Sequence, residues 1–314
     1  MKYSILGPFA FLRNGRVIMG EARRRKLLAG SNSVPDKLWP LSNPTAQQQL
    51  ETWFTQRGVD PSRPGLHDTA EFLRVEALDP TAMNMAARLV EARSYSADEL
   101  LQAERKILAA TEAIASRVAR DGRPGLCVVA SGVLSRMLDE LGVWNYTAKS
   151  NLAIYFPRSV SVEPRYFYSI DTGQFVAPHA IVVAPPFTVV DVTVKHQMYD
   201  LDAMVRWLPP IAATKAFRPY RVTPNELVSP EARAALRMSG DTAQSFLSRE
   251  KASMLEVMAQ LPSRELALDG GRLGYGLIAV GGYQERLNDL HGKNCSIDGL
   301  TPMEIFEQDV LPRL

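Results

Sequence analysis

Cysteine is scarce in this chain of 314 residues: there are two, Cys127 and Cys295, far apart. That is no disulfide framework, and it suits a reducing compartment in which thiols stay free. Net charge is nearly absent at +2, so no strong field points to nucleic acid or to a membrane surface. No apolar stretch reaches the ~18 residues of a membrane span. The apolar run Tyr3 to Leu12 is broken by Gly7-Pro8 and lacks a basic leader and a cleavage site, so no cleaved signal peptide is expected. These absences lead to the expectation of a cytoplasmic protein, with export by a route needing no cleaved signal as the alternative. Repeats and low-complexity tracts are missing too. The one dense basic cluster, Arg23-Arg24-Arg25-Lys26, reads as a solvated face.

What remains is the composition of a globular protein, 46% hydrophobic and 22% charged, in a chain long enough for a proper core. Residues 31–46 read as a loop because Pro35, Pro40 and Pro44 stand among Ser and Asn. Short helices are expected near 47–56, 68–77 and 81–92. Ser96-Ala97-Asp98-Glu99 has capping-box spacing. The apolar period Leu100, Ala103, Ile107, Ala110, Ile114, Val118 predicts a long helix that stops at Asp121-Gly122-Arg123-Pro124-Gly125. A second helix opens at Cys127, with Ala130, Val133, Leu134, Met137, Leu138 and Leu141 on one stripe and Gly142 as its stop.

The pattern then changes. Tyr146–Phe156, Arg165–Ile170, Phe175–Ala184 and Phe187–Val194 are rich in β-branched and aromatic residues, with turns at Asp171-Thr172-Gly173 and Pro185-Pro186. Helix returns after Trp207: Thr223-Pro224-Asn225-Glu226 and Thr301-Pro302-Met303-Glu304 are capping boxes with proline at the first helical position, and 241–261 reads as one helix. Residues 270–282 are glycine-rich and apolar without an obvious period. The expected organisation is a mainly helical region over 1–95, a catalytic core over 96–210 and a second mainly helical region over 211–314.

Three residues carry chemistry. Cys127 follows a Pro-Gly turn at a helix start, where unpaired amides and the helix dipole favour a thiolate. The same amides can serve an oxyanion, the Cys127 N–H first. Taken alone, a cysteine here is also a small buried apolar residue. His179 begins a very apolar strand and Asp191 lies near the end of the next. An aspartate in such a strand needs a partner, and His179 is the nearest; the carboxylate would fix the imidazole tautomer. With a three-residue loop, or a bulge of equal register, His179 and Asp191 are direct cross-strand partners on one face. A strict two-residue loop pairs His179 with Val192 and sends Asp191 to the other face.

Residues 125–143, Gly-Leu-Cys-Val-Val-Ala-Ser-Gly-Val-Leu-Ser-Arg-Met-Leu-Asp-Glu-Leu-Gly-Val, resemble the nucleophile helix of the transglutaminase-like superfamily. Pro178-His179-Ala180-Ile181-Val182 and Val190-Asp191-Val192-Thr193 resemble its histidine and aspartate strands. The likeness covers about residues 120–195; Ile181 stands where the family often has Trp, and Trp144-Asn145-Tyr146-Thr147 replaces an arginine-rich strand. The resemblance implies an α+β protein: a papain-like core, its nucleophile helix packed on an antiparallel sheet, flanked by further helices. It implies a Cys127, His179, Asp191 triad in a cysteine protease, deamidase or transglutaminase that acts on a protein or peptide, a further partner protein being unspecified. The same segments also resemble arylamine N-acetyltransferases, although their glutamate after the cysteine is missing. A non-catalytic binding module of the same fold is the rival of another class.

Other candidates are weaker. His291 and Cys295 stand four apart but lack further ligands, and Gly292 argues against a regular helix, so no metal is expected. Gly271-Arg272-Leu273-Gly274-Tyr275-Gly276 has no Lys-Ser or Lys-Thr after it and is no phosphate loop. It reads as close backbone packing or a flexible loop near the site, and no cofactor is expected. His196, beside Lys195 and Gln197, is a less apt base than His179. His67 reads as a surface residue.

Overall fold

The protein, seen here as a computed structural model, is described over residues 38–172, 174–175 and 178–314. The basic cluster at 23–26, the 3–12 apolar run and residues 31–37 of the expected loop lie outside the described residues. Helices α1 (Pro44–Thr55), α2 (Ala70–Leu78) and α3 (Ala82–Ala92) come first. The capping box forms as expected: Ser96 accepts from the Glu99 amide and Glu99 reaches back, opening α4 (Ala97–Asp121), which ends on Gly122 at φ 71°. Then comes α5 (Cys127–Glu140).

The strands are β1 (Tyr146–Tyr155), β2 (Arg165–Phe167), β3 (Ile170–Asp171), β4 (Gln174–Phe175), β5 (His179–Ala184) and β6 (Phe187–Asp191). After α6 (Asp202–Trp207) and β7 (Ala212–Thr214) come α7 (Pro224–Leu227) and α8 (Pro230–Met238). The single helix expected over 241–261 is two, α9 (Ala243–Glu250) and α10 (Ala252–Gln260), because Lys251 leaves helical geometry at φ −132°, ψ 33°. Strands β8 (Arg264–Leu268) and β9 (Gly271–Val280) and the short α11 (Pro302–Ile305) complete the main elements.

The architecture is α+β. One antiparallel sheet runs β7-β6-β5-β1-β9-β8, with β2 also on β1 and a separate β3–β4 hairpin. The region over 211–314, expected to be mainly helical, therefore supplies three of the strands beside the predicted core. Most of the stretch 270–282 is strand β9, Gly271–Val280. Leu273, Tyr275 and Leu277 alternate with glycines that leave room for other chains. A Cβ at Gly271 would meet the Tyr155 carbonyl and Trp207, at Gly274 the Tyr220 ring, and at Gly276 the Asn151 amide. The expectation of close backbone packing fits this segment; a flexible loop does not.

Alternation sorts the sheet into two buried faces. Ile181, Val183, Val189, Leu152, Tyr275 and Leu277 join the helices of residues 39–92 in one apolar cluster. Val182, Ala184, Val190 and Val192 join α4, α5 and residues 287–310 in another. Across the first face Arg264, fully buried, pairs with Glu91 of α3 and donates to the Thr188 carbonyl at 2.8 Å. Glu91 also accepts from the Tyr146 hydroxyl. Replacing Arg264 with methionine strands a buried carboxylate, so it should cost about 3–5 kcal/mol in denaturant unfolding, and a second change, Glu91→Gln, should recover part of that loss.

Candidate active site

Cys127 is the first residue of α5, delivered by Gly125 at φ 77°. No side chain caps this helix start, so its leading amides keep the donors that an anion would use. The lead-in turn is tied down from both sides. Arg123 binds Asp121 through two side-chain nitrogens, at 2.6 and 2.7 Å, and through its own amide at 3.3 Å, while the Asp298 amide donates at 2.6 Å to Asp121 Oδ2. Arg123 also donates to the Ser296 carbonyl at 3.0 Å. One turn along α5, Ser131 donates to the Ala180 carbonyl at 3.0 Å, fixing the helix against β5. The Cys127 sulfur lies 3.9 Å from the Pro178 carbonyl, at the entrance to β5, and the residue is 4% exposed.

His179 and Asp191 share a face, but not by the register expected. The connection at Pro185-Pro186 is the two-residue kind, with Ala184 opposite Phe187. The register then shifts, because Val182 lies opposite Val190, so Thr188 and Val189 of β6 together face Val183. Extending that register sets Asp191 opposite Ile181, one diagonal step from His179. The bulge returns Asp191 to the His179 face but moves it along the sheet, so direct pairing is replaced by a diagonal contact. An aromatic ring spans that diagonal: His179 Nε2 and Asp191 Oδ2 are 2.7 Å apart, both residues fully buried.

A carboxylate only accepts, so Nε2 carries the proton of this bond. Nδ1 is left without a hydrogen-bond partner among the described residues, and the Cys127 side chain is close enough to act on the ring. Burial pushes the imidazole pKa down, but the charge and hydrogen bond of Asp191, helped by Cys127, outweigh it and raise it to about 10. The ring therefore holds its proton at neutral pH.

Asp191 is held on every side. Thr193 donates to Oδ1 from its amide at 2.9 Å and its hydroxyl at 3.3 Å. The Tyr275 hydroxyl donates to Oδ2 at 3.0 Å, and the Tyr275 ring lies against His179 with centroids 6.1 Å apart and planes at 29°. In the sequence Thr193 stands only as the end of the Asp191 strand motif, without a role, and Tyr275 is not singled out at all. The signal for Tyr275 was the alternation of large residues and glycines over 271–277, a strand period whose β-branched residues, Ile278 and Val280, come only at the end of β9.

The other candidates fall elsewhere. His196 sits in a half-buried 3-10 turn, where burial lowers its pKa, and Asp191 accepts from His179 instead. His67, expected on the surface, is buried: its Nε2 accepts from Arg136, and burial, with the Arg136 charge, pushes its pKa down to about 3. Arg136 is itself buried on α5 and gathers Asp68 at 2.8 Å and Asp139 at 3.1 Å, so the neutral imidazole serves as one more acceptor for a guanidinium that needs several. Cys295 is buried and donates to the Gly292 carbonyl, while His291 is exposed. Among the described residues there is no group of three or more His, Cys, Asp or Glu that could hold a metal ion, and no helix is long and apolar enough to cross a membrane. No family model, curated protein or solved structure matches this chain, so the chemistry of the site rests on its own geometry.

Proposed function

We propose that the protein is a thiol-dependent amide hydrolase or acyl transferase with a papain-like, transglutaminase-like core, acting on a protein or peptide. The observation that carries the reading is the buried chain from Asp191 to His179 Nε2, with the opposite ring nitrogen unpartnered and Cys127 beside it at an uncapped helix start. In the resting pair the thiol proton resides on Nδ1. The sulfur adds to the amide carbonyl, and the Cys127 N–H with its neighbouring amides takes up the developing oxyanion. The C–N bond breaks as Nδ1 protonates the leaving nitrogen, leaving a thioester. Water then adds to the thioester, its proton passing to Nδ1, and an acid is released with the thiolate. An amine in place of water would make the reaction a transfer. Hydrolysis is preferred because water needs no pocket of its own.

The burial of Cys127 is the observation that favours the rival, a binding module that never uses its thiol. Iodoacetamide at neutral pH separates the two. The proposal expects Cys127 to be alkylated much faster than Cys295, whose thiol pKa is raised by burial; equal sluggishness of both favours the module. The decisive experiment is mass spectrometry of a proteome incubated with wild type and with Cys127→Ala. Cleaved peptides, one-dalton deamidation shifts or cross-links present only with wild type are expected. Identical spectra would sink the proposal, and consumption of acetyl-CoA would move it to the arylamine N-acetyltransferase-like alternative.

A further inference from the structure

We infer that Tyr275 is a positioning residue of this site, acting on His179 through Asp191 and through its own ring. The inference rests on the reading of Cys127 as a nucleophile given above. Tyr275 stands in the middle of β9, opposite Leu152 of β1, and is fully buried. Two independent contacts point at the same pair. Its hydroxyl donates to the Asp191 oxygen that His179 also uses, and its ring lies nearly parallel to the imidazole. Burial raises the phenol pKa well above its ordinary value, so the group remains a donor throughout the working range.

The consequence is a carboxylate with no freedom left. With His179 and Tyr275 on Oδ2 and both Thr193 donors on Oδ1, Asp191 cannot rotate without breaking bonds at both oxygens. The fixed carboxylate in turn fixes the imidazole that it meets at Nε2. The Tyr275 ring closes one side of the imidazole and opposes the flip that would turn Nδ1 away from Cys127. A tyrosine that merely filled the core would need no hydroxyl here, since phenylalanine has nearly the same volume.

The test is the pH dependence of Cys127 alkylation by iodoacetamide, followed by mass spectrometry in wild type, Tyr275→Phe and Asp191→Asn, with thermal melts alongside. Tyr275→Phe should stay folded and melt only a few degrees below wild type, yet its Cys127 should react about tenfold more slowly near pH 7, the size expected for one lost hydrogen bond to a charged group. Its rates should rejoin wild type above about pH 10, where thiols ionise unaided. If Tyr275→Phe superimposes on wild type while Asp191→Asn does not, the role assigned to Tyr275 is overturned and the Cys127 reading survives. If both superimpose, the two fall together. Should Tyr275→Phe fail to fold, 3-fluorotyrosine placed at 275 keeps the ring and sharpens the donor; a displaced profile then supports the role, and an unchanged one ends it.

Discussion

Asp191→Asn should lower the rate of thioester formation by about four orders of magnitude while leaving the fold intact, the size seen when a buried triad carboxylate becomes an amide. The reason lies in the donors around the side chain. Thr193 offers an N–H and an O–H to one oxygen, so the asparagine carbonyl settles there. Its NH2 group then faces His179 Nε2 and the Tyr275 hydroxyl, and both must change roles. Nε2 can only accept from an amide N–H, which forces the ring proton onto Nδ1, facing Cys127. A neutral ring in that tautomer has no lone pair for the thiol proton. The charge that offset the burial of the imidazole is lost as well, so the ring no longer holds a second proton. Single-turnover acylation with an activated ester, followed by intact-mass measurement, reads this directly. A fall of less than tenfold would mean that Asp191 is structural only.

A second large effect concerns alkaline pH. Despite its burial, the His179 imidazole is held protonated by Asp191 and Cys127, its pKa raised from 6.5 to about 10. The folded state therefore binds this proton more tightly than the unfolded chain does. The resulting stabilisation is complete below about pH 6.5 and disappears as the pH rises through about 10, a change on the order of a few kcal/mol for one strongly coupled group. Melting temperature should fall across this window in wild type. In His179→Gln the slope should be much shallower, since the group that releases its proton near pH 10 is gone. Parallel curves would show that His179 is not held protonated by its neighbours.

Much of this arrangement could be read locally and some of it could not. The long α4 and the Cys127 helix were legible because caps, apolar period and glycine stops are written within one turn of the elements they bound. The partnership of His179 with Asp191 was legible because a carboxylate among valines has few ways to be satisfied. The register was not, because a bulge at Thr188 and Val189 depends on how β6 meets both β5 and β7. Strand β9 was hidden for a similar reason. Its glycines answer to Trp207, Tyr220 and Asn151, residues far away in sequence whose approach only the fold reveals. Tyr275 went unseen with it. His67 was misplaced because the acceptor demand of a buried Arg136 is not visible beside a lone histidine.

The clasp between Asp121 and the Asp298 amide ties the start of α5 to a segment far along the chain. Residues 287–310 also cover one flank of that helix. During synthesis Cys127 emerges well before either the β9 tyrosine or this covering segment exists. A chain made only as far as residue 270 lacks the Tyr275 donor to Asp191 and the segment that covers α5, so the His179–Asp191 pair gains its full set of partners only after β9 has been added.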